Sequence, residues 1–119
     1  MTVTVGWFIQ AEIRTGKLDA LKDLISEMCT RSRDNEPGTL AYEWSISADG
    51  TTGHLYERYA DSDAALAHLA SFGEHFAERF MPLVGALRMS VYGTPSEALS
   101  QELADMEPVY FEKVDGFAR

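Results

Sequence analysis

The sequence predicts an α+β fold in which one antiparallel sheet carries helices on a single face. Three observations predict it. Residues 2–13 alternate between two sets of side chains, the period of a strand with one buried face. Residues 18–35 change to the spacing of an amphipathic helix. Between Glu36 and His75 a breaker pair, an aromatic strand, a glycine-rich turn, a second aromatic strand and a capped helix follow one another with almost no spare residues.

In the first strand Val3, Val5, Trp7, Ile9, Ala11 and Ile13 share one side, while Thr2, Thr4, Gly6, Phe8, Gln10 and Glu12 share the other. Phe8 on the second side implies that this face is partly covered too. Thr15-Gly16-Lys17 breaks the strand. Leu18, Leu21, Leu24, Ile25, Met28 and Cys29 then make an apolar helical stripe opposite Asp19, Lys22, Asp23, Glu27 and Arg31. Pro37 biases Glu36 away from helical backbone, so this helix should end near Asn35. The second strand, Thr39 to Ser47, places Leu40, Tyr42, Trp44 and Ile46 on one face. Asp49-Gly50-Thr51-Thr52-Gly53 is a hairpin loop with two glycines free to take positive φ. The third strand, His54 to Ala60, sets Leu55, Glu57 and Tyr59 opposite His54, Tyr56 and Arg58.

Asp61-Ser62-Asp63 offers capping oxygens and negative charge to a helix from Ala64 to Ser71. Gly73 is expected to interrupt it, with Glu74 to Leu83 continuing. Leu87 to Tyr92 reads as a fourth strand. Pro95 sits near the first turn of a helix from Glu97 to Met106, and Val109 to Val114 reads as a last strand. The first six elements spell β-α-β-β-α-β, the ferredoxin-like split arrangement, with a helix and a strand appended. No repeat or linker interrupts residues 1–119, so a single domain is expected.

Charge and composition exclude several functions. Nineteen acidic against ten basic side chains give a formal charge of −9. Lys17, Lys22, Arg31 and Arg33 are scattered around one acidic helix and make no basic stripe, so neither nucleic acid nor an anionic membrane surface is an expected partner. No apolar run approaches the ~18 residues of a membrane span. Met1-Thr2-Val3-Thr4-Val5 shows no signal-peptide pattern. Cys29 is the only cysteine, which excludes an intrachain disulfide and suits a cytoplasmic location. The sequence has no glycine-rich phosphate loop, no paired His or Cys at metal-ligand spacing and no serine in a nucleophile elbow. No metal is therefore expected, and nicotinamide-dependent and triad-hydrolase chemistry lose support.

The candidate site residues lie around the hairpin and the helix after it. His68 stands on a mainly apolar helix, where an imidazole could take a proton at neutral pH or serve as a structural group bonded to Glu57 or to a backbone carbonyl. Glu57 lies mid-strand on the apolar side, so its carboxylate must be paired or have a raised pKa, and His68 is a natural partner. His75 would share the face of His68 on an unbroken helix; its other reading is an exposed residue near the helix end. Trp7, Tyr42, Trp44 and Tyr59 could stack on a planar ring, with Phe72, Phe76 and Phe80 on the helix side; the alternative for all of them is ordinary core packing. The helix-free sheet face carries Phe8 and either Tyr42 and Trp44 or Tyr56 and Arg58, and a second copy of the sheet is its expected cover.

Glu36-Pro37-Gly38 before an aromatic strand, Tyr56-Glu57-Arg58-Tyr59-Ala60-Asp61 at the end of the hairpin, and His68 and His75 beyond it resemble the antibiotic biosynthesis monooxygenase family. This is the dimeric α+β barrel group that includes quinol monooxygenases. The resemblance covers residues 3–93; residues 94–119 are an extension that could clasp a dimer or wall a pocket. It implies a homodimer in which each protomer oxidises a phenolic or quinol-type aromatic with O₂, without a cofactor, in a pocket between sheet and helices. His68 would be base or hydrogen-bond donor, Glu57 its orienter, and Trp7, Tyr42, Tyr59, His75 and Phe76 the walls. Related haem-degrading enzymes share the fold but place an asparagine on strand one and a tryptophan near the end of strand three. Here the only asparagine is Asn35 and the strand-three position is Tyr59, so haem is not expected. Two other functions remain open: a non-catalytic small-molecule-binding or assembly module, and a cofactor-free isomerase or cyclase using the same acid–base pair.

Overall fold

The computed structural model describes residues 4–119. Thr2 and Val3, expected in the first strand, lie outside the described residues. The elements are β1 (Val5–Ile13), α1 (Leu18–Asn35), β2 (Thr39–Ile46), β3 (Thr52–Tyr59), α2 (Ser62–His75), α3 (Ala77–Phe80), β4 (Val84–Tyr92), α4 (Glu97–Leu103) and β5 (Val109–Phe111). Single 3₁₀ turns follow α3 and α4, at Met81–Leu83 and Ala104–Met106.

The sheet order is β2-β3-β1-β4-β5. The four strands β2, β3, β1 and β4 are antiparallel in the ferredoxin-like order, and β5 adds in parallel to the β4 edge through Ser90↔Val109 to Tyr92↔Phe111. The register aligns Trp7, Glu57 and Tyr42 across β1, β3 and β2, so all three face the helices. Phe8, Tyr56 and Glu43 align on the opposite face. The register thus assigns Tyr56 and Arg58, not Tyr42 and Trp44, to the helix-free side.

The inner face is packed in two halves. Val5, Trp7, Tyr59, Met89 and Val91 of the sheet meet Ala65 of α2 and Leu99 and Leu103 of α4. Ala11, Ile13 and Val84 meet Leu21, Leu24 and Met28 of α1, with Phe76 and Phe80. Burial of these side chains, at roughly 25 cal/mol per Å² of apolar surface, holds the layers together.

Four local expectations need correction. Leu40 does not share the inner face: the β2–β3 register shifts between Thr39 and Ala41, and the bulge leaves Leu40 48% exposed. β4 begins at Val84 rather than Leu87, because Val84 already pairs with Ile13. β5 stops at Phe111 rather than Val114, since its pairing with β4 ends at Tyr92. Gly73 does not interrupt α2, which continues to His75 and breaks at Phe76, whose φ is −129°. A mid-helix glycine weakens a helix by about 1 kcal/mol relative to alanine, less than neighbouring turns anchored in the core can supply. The break falls instead where the Phe76 side chain turns into the core.

Gly73 has helical backbone, is exposed, and a Cβ built on it meets nothing within 4 Å. Gly73→Ala should therefore stabilise the protein by about 0.4–1 kcal/mol in urea unfolding. A loss of stability would contradict a continuous α2.

Candidate functional site

The site is built where the end of α1 meets α2 and the middle of the sheet. The backbone N–H of Glu36 closes α1 on the Ser32 carbonyl. Pro37 then forces the chain out of the helix, and Gly38 lets β2 start directly against α2: a Cβ on Gly38 would sit 2.6 Å from the Ala64 Cβ. At this corner Thr39 Oγ1 donates to Glu36 Oε1 at 2.8 Å, and the other carboxylate oxygen accepts from Ser32 Oγ at 3.4 Å. The carboxylate is thereby turned inward. From the other side, Asp61 caps α2 by accepting the Ala64 N–H at 2.8 Å, which fixes the phase of the helix and points His68 at the sheet.

His68 lies between two carboxylates. Its Nδ1 is 2.7 Å from Glu36 Oε1, and its Nε2 is 3.2 Å from Glu57 Oε1. Glu57 also accepts the Trp7 indole N–H and the Tyr59 hydroxyl. The two core residues with the most to lose from desolvation, Glu57 and His68, are 3% and 5% exposed. Burial alone would lower the pKa of His68. Its hydrogen bonds and charge attraction to Glu57, and then to Glu36, outweigh that and raise it above the usual histidine value. Burial, and then the Glu57 charge, push the hydroxyls of Tyr42 and Tyr59 far up, so both stay protonated donors.

A cavity of about 180 Å³ opens beside this array, between sheet and helices. Its floor comes from Trp7, Tyr42, Trp44, Leu55 and Met89, and its roof from Leu69 and Phe72 of α2 and Leu103 and Met106 after β4. Glu57 and His68 form its polar end. A dry apolar cavity of about 150 Å³ is known to accept benzene, so this volume suits a compact ring. Among the described residues no group of three His, Cys, Asp or Glu side chains is arranged to hold a metal ion, and no helix is long and apolar enough to cross a membrane.

The structure brings Trp7, Tyr42, Glu57 and His68 together at the cavity. Tyr59 stands behind Glu57 rather than in the wall, with its ring 4.8 Å from that of Trp7. His75 is not in the cavity: the seven residues separating it from His68 carry it two turns along the unbroken α2, to a half-exposed groove against α1. Phe76 is not in the wall either, because the helix break sends it into the core beside α1 and α3. Two residues were missed as site members. Glu36 was visible only as part of a breaker sequence; its signal was an acid directly before Pro-Gly. α4 supplies Leu103 as a cover for the cavity, which the helical spacing of Leu99 and Leu103 could have suggested.

The arrangement defines a class of α+β proteins in which one ferredoxin-like layer holds a ligand-sized cavity under its helices, with a buried acid–base array at one end. Within that class the chain belongs to the antibiotic biosynthesis monooxygenase family, which it matches over residues 4–79. It is similar to MupZ from Pseudomonas fluorescens, at 33% identity over 98% of this chain and 94% of that one, with a TM-score of 0.84. It is also similar to Rv0793 from Mycobacterium tuberculosis, at 27% identity over 80% of this chain and 98% of that one, TM-score 0.67. SO0527 from Shewanella oneidensis shares the fold at 23% identity, over 79% and 93% of the two chains, TM-score 0.68. The likeness to MupZ thus runs through α4 and β5. A search of curated proteins finds no match.

The raised pKa of His68 makes stability depend on pH. Charged His68 faces Glu57 and Tyr59 from β3, and Glu36 and Tyr42 from the β2 side. A group whose folded pKa lies above its unfolded value stabilises fully below about 6.5, and that contribution is lost as pH rises through the folded value. In urea unfolding from pH 6 to pH 9 the wild type should lose stability that His68→Gln does not lose. An NMR titration placing the His68 midpoint below 6.5 would contradict the charged array.

Proposed function

We propose that the protein is a cofactor-independent monooxygenase that oxidises a compact phenolic or quinol-type aromatic with O₂. One observation carries the reading: the Glu36–His68–Glu57 array ends at the wall of a mainly apolar, ring-sized cavity. A carboxylate offers about four acceptor positions, and Trp7, Tyr59 and His68 use three of those on Glu57. The open position faces a guest hydroxyl. Two carboxylates around one imidazolium leave a net negative charge in a water-poor site, which favours uptake of one further proton. Glu57 takes that proton from the ring hydroxyl. His68, protonated on both ring nitrogens, keeps both protons and holds its charge between Glu36 and the newly protonated Glu57.

The desolvated aromatic anion is electron-rich. It passes one electron to O₂, and the two radicals join at a ring carbon as a peroxide. Loss of the C–H proton with cleavage of the O–O bond leaves one oxygen as a new carbonyl and releases the other as water; the substrate supplies all the electrons. The protein holds the ring, excludes water and moves the proton.

Family membership and fold support the reading at the level of machinery. A second reading shares the machinery: a cofactor-free isomerase or cyclase that shifts a proton on an enolisable substrate, favoured because every polar group in the array handles protons. The outer sheet face, with half-buried Phe8 and Tyr56, adjoins an edge bearing exposed Tyr92, Tyr110 and Phe111. A second copy packed there gives the homodimer we propose, and the lone Cys29 fits a cytoplasmic setting.

With a hydroquinone as substrate, the wild type should consume one O₂ per ring oxidised, and Glu57→Gln should lower that rate by about 10²-fold or more while leaving sedimentation as a dimer unchanged. Turnover without oxygen uptake would move the assignment to the isomerase. Equal rates in both proteins would remove Glu57 from the chemistry, and a monomer at micromolar concentration would end the dimer proposal.

A further inference from the structure

The cavity floor extends well beyond the Glu57 end. It begins at the row Trp7, Glu57 and Tyr42, aligned across β1, β3 and β2. Two residues further along the strands it is made by Ile9, Leu55 and Trp44, with Met89 of β4 opposite Ile9. It reaches Leu87, which pairs with Ala11, two residues beyond Ile9. At about 3.4 Å per residue the floor runs roughly 13 Å along the strands, and strand side chains stand nearly upright on their sheet. A space of about 180 Å³ drawn out over such a floor is a narrow slot, not a round chamber. Its two ends differ in stiffness. At the Glu57 end Trp7 and His68 are held by the carboxylate. Beyond it, three of the protein's five methionines, Met81, Met89 and Met106, line the slot. Methionine is unbranched and adapts its shape, so walls made of it accommodate differing guests. The slot also opens at that end. Met81, in the turn leading into β4, is 52% exposed. Glu102 is exposed as well, and every other lining residue is buried or half-buried.

We propose that the substrate is an amphiphile, an alkyl-substituted phenol or quinol. Its hydroxyl-bearing ring sits at Glu57, and one unbranched apolar chain runs past Met89 and leaves the slot between Met81 and Met106. The proposal deepens the reading of this site given above and rests on it for the ring; the chain rests on the slot. The fixed walls around Glu57 select the ring, while the methionine walls tolerate chains of different length. Each methylene drawn from water into the slot strengthens binding about threefold, until the chain reaches the mouth. A charge near the ring end of the chain is rejected, because no lysine or arginine lines the slot to pair a carboxylate.

The series para-ethylphenol, para-butylphenol and para-hexylphenol tests this, read by calorimetry and by NMR of methyl-labelled methionine. In the wild type, affinity should rise about threefold per methylene along the series. The hexyl compound should shift the Met81 and Met106 methyl signals and the Trp7 indole N–H signal. The ethyl compound should shift Trp7 and leave Met81 unmoved. Met81→Gln changes an exposed side chain of similar size, so the fold is kept. It should weaken para-hexylphenol binding by about threefold or more and para-ethylphenol binding by less than about twofold. Affinity that falls as the chain lengthens, or unmoved Met81 and Met106 signals with the hexyl compound bound, would overturn the chain and leave the ring at Glu57 in place. Shifted methionines with an unmoved Trp7 would overturn the seat of the ring, and with it both readings. A wild type that takes up none of the three would overturn the cavity itself.

Discussion

A histidine held between two carboxylates, under an apolar roof, is the constraint on which the rest of the structure depends. Taking these groups out of water is expensive, and attraction alone rarely repays it unless the remaining lone pairs and protons are also satisfied. Here they are satisfied by groups from every neighbouring element. Trp7 comes from β1, Tyr59 from β3, Ser32 from α1 and Thr39 from β2. Each donor fixes one element against the array, so the array sets how far β2 may slide along β3 and how α2 is rotated above them. Removing one carboxylate would leave the imidazolium half paired, which costs more than the whole array contributes when intact.

The same demand explains the tight corner at the end of α1. Glu36 can reach His68 only if the chain leaves the helix at once and passes beneath α2. Pro37 ends the helix, and Gly38 removes the atom that would strike Ala64. The bulge between Thr39 and Ala41 then restores the alternation that turns Tyr42 and Trp44 inward. Leu40 is given up to solvent as a consequence. A short helix after β4 closes the cavity from above, anchored where the Ser96 N–H donates to Ser62 Oγ at the start of α2.

Much of this was legible in the sequence, for identifiable reasons. Strand and helix periods gave the ferredoxin-like order, and an acid and a histidine on otherwise apolar faces marked Glu57 and His68 as partners. What was not legible depended on relations between elements. Glu36 sits in a turn, where no periodicity says which way a side chain points. His75 and Phe76 fall outside the cavity because two helical turns carry His75 along α2 to the groove against α1, and the break at Phe76 turns that ring into the core. Which aromatics face the helices is a matter of register, and one bulge, invisible in the pattern, moves Leu40 from one face to the other.

Inside its mouth the cavity is polar at one end only, and this narrows what can sit in it. There a carboxylate accepts, while Tyr42 beside it on β2 is held protonated by burial and the Glu57 charge. Under the proposed reading, a guest with no proton to give leaves the carboxylate's open position unfilled, whereas a ring hydroxyl or an enol supplies that proton and packs its ring against Trp7, Trp44 and Phe72. Proton acceptance and ring burial would then belong to one small space, because the register sets Trp7, Glu57 and Tyr42 side by side on one face of three neighbouring strands.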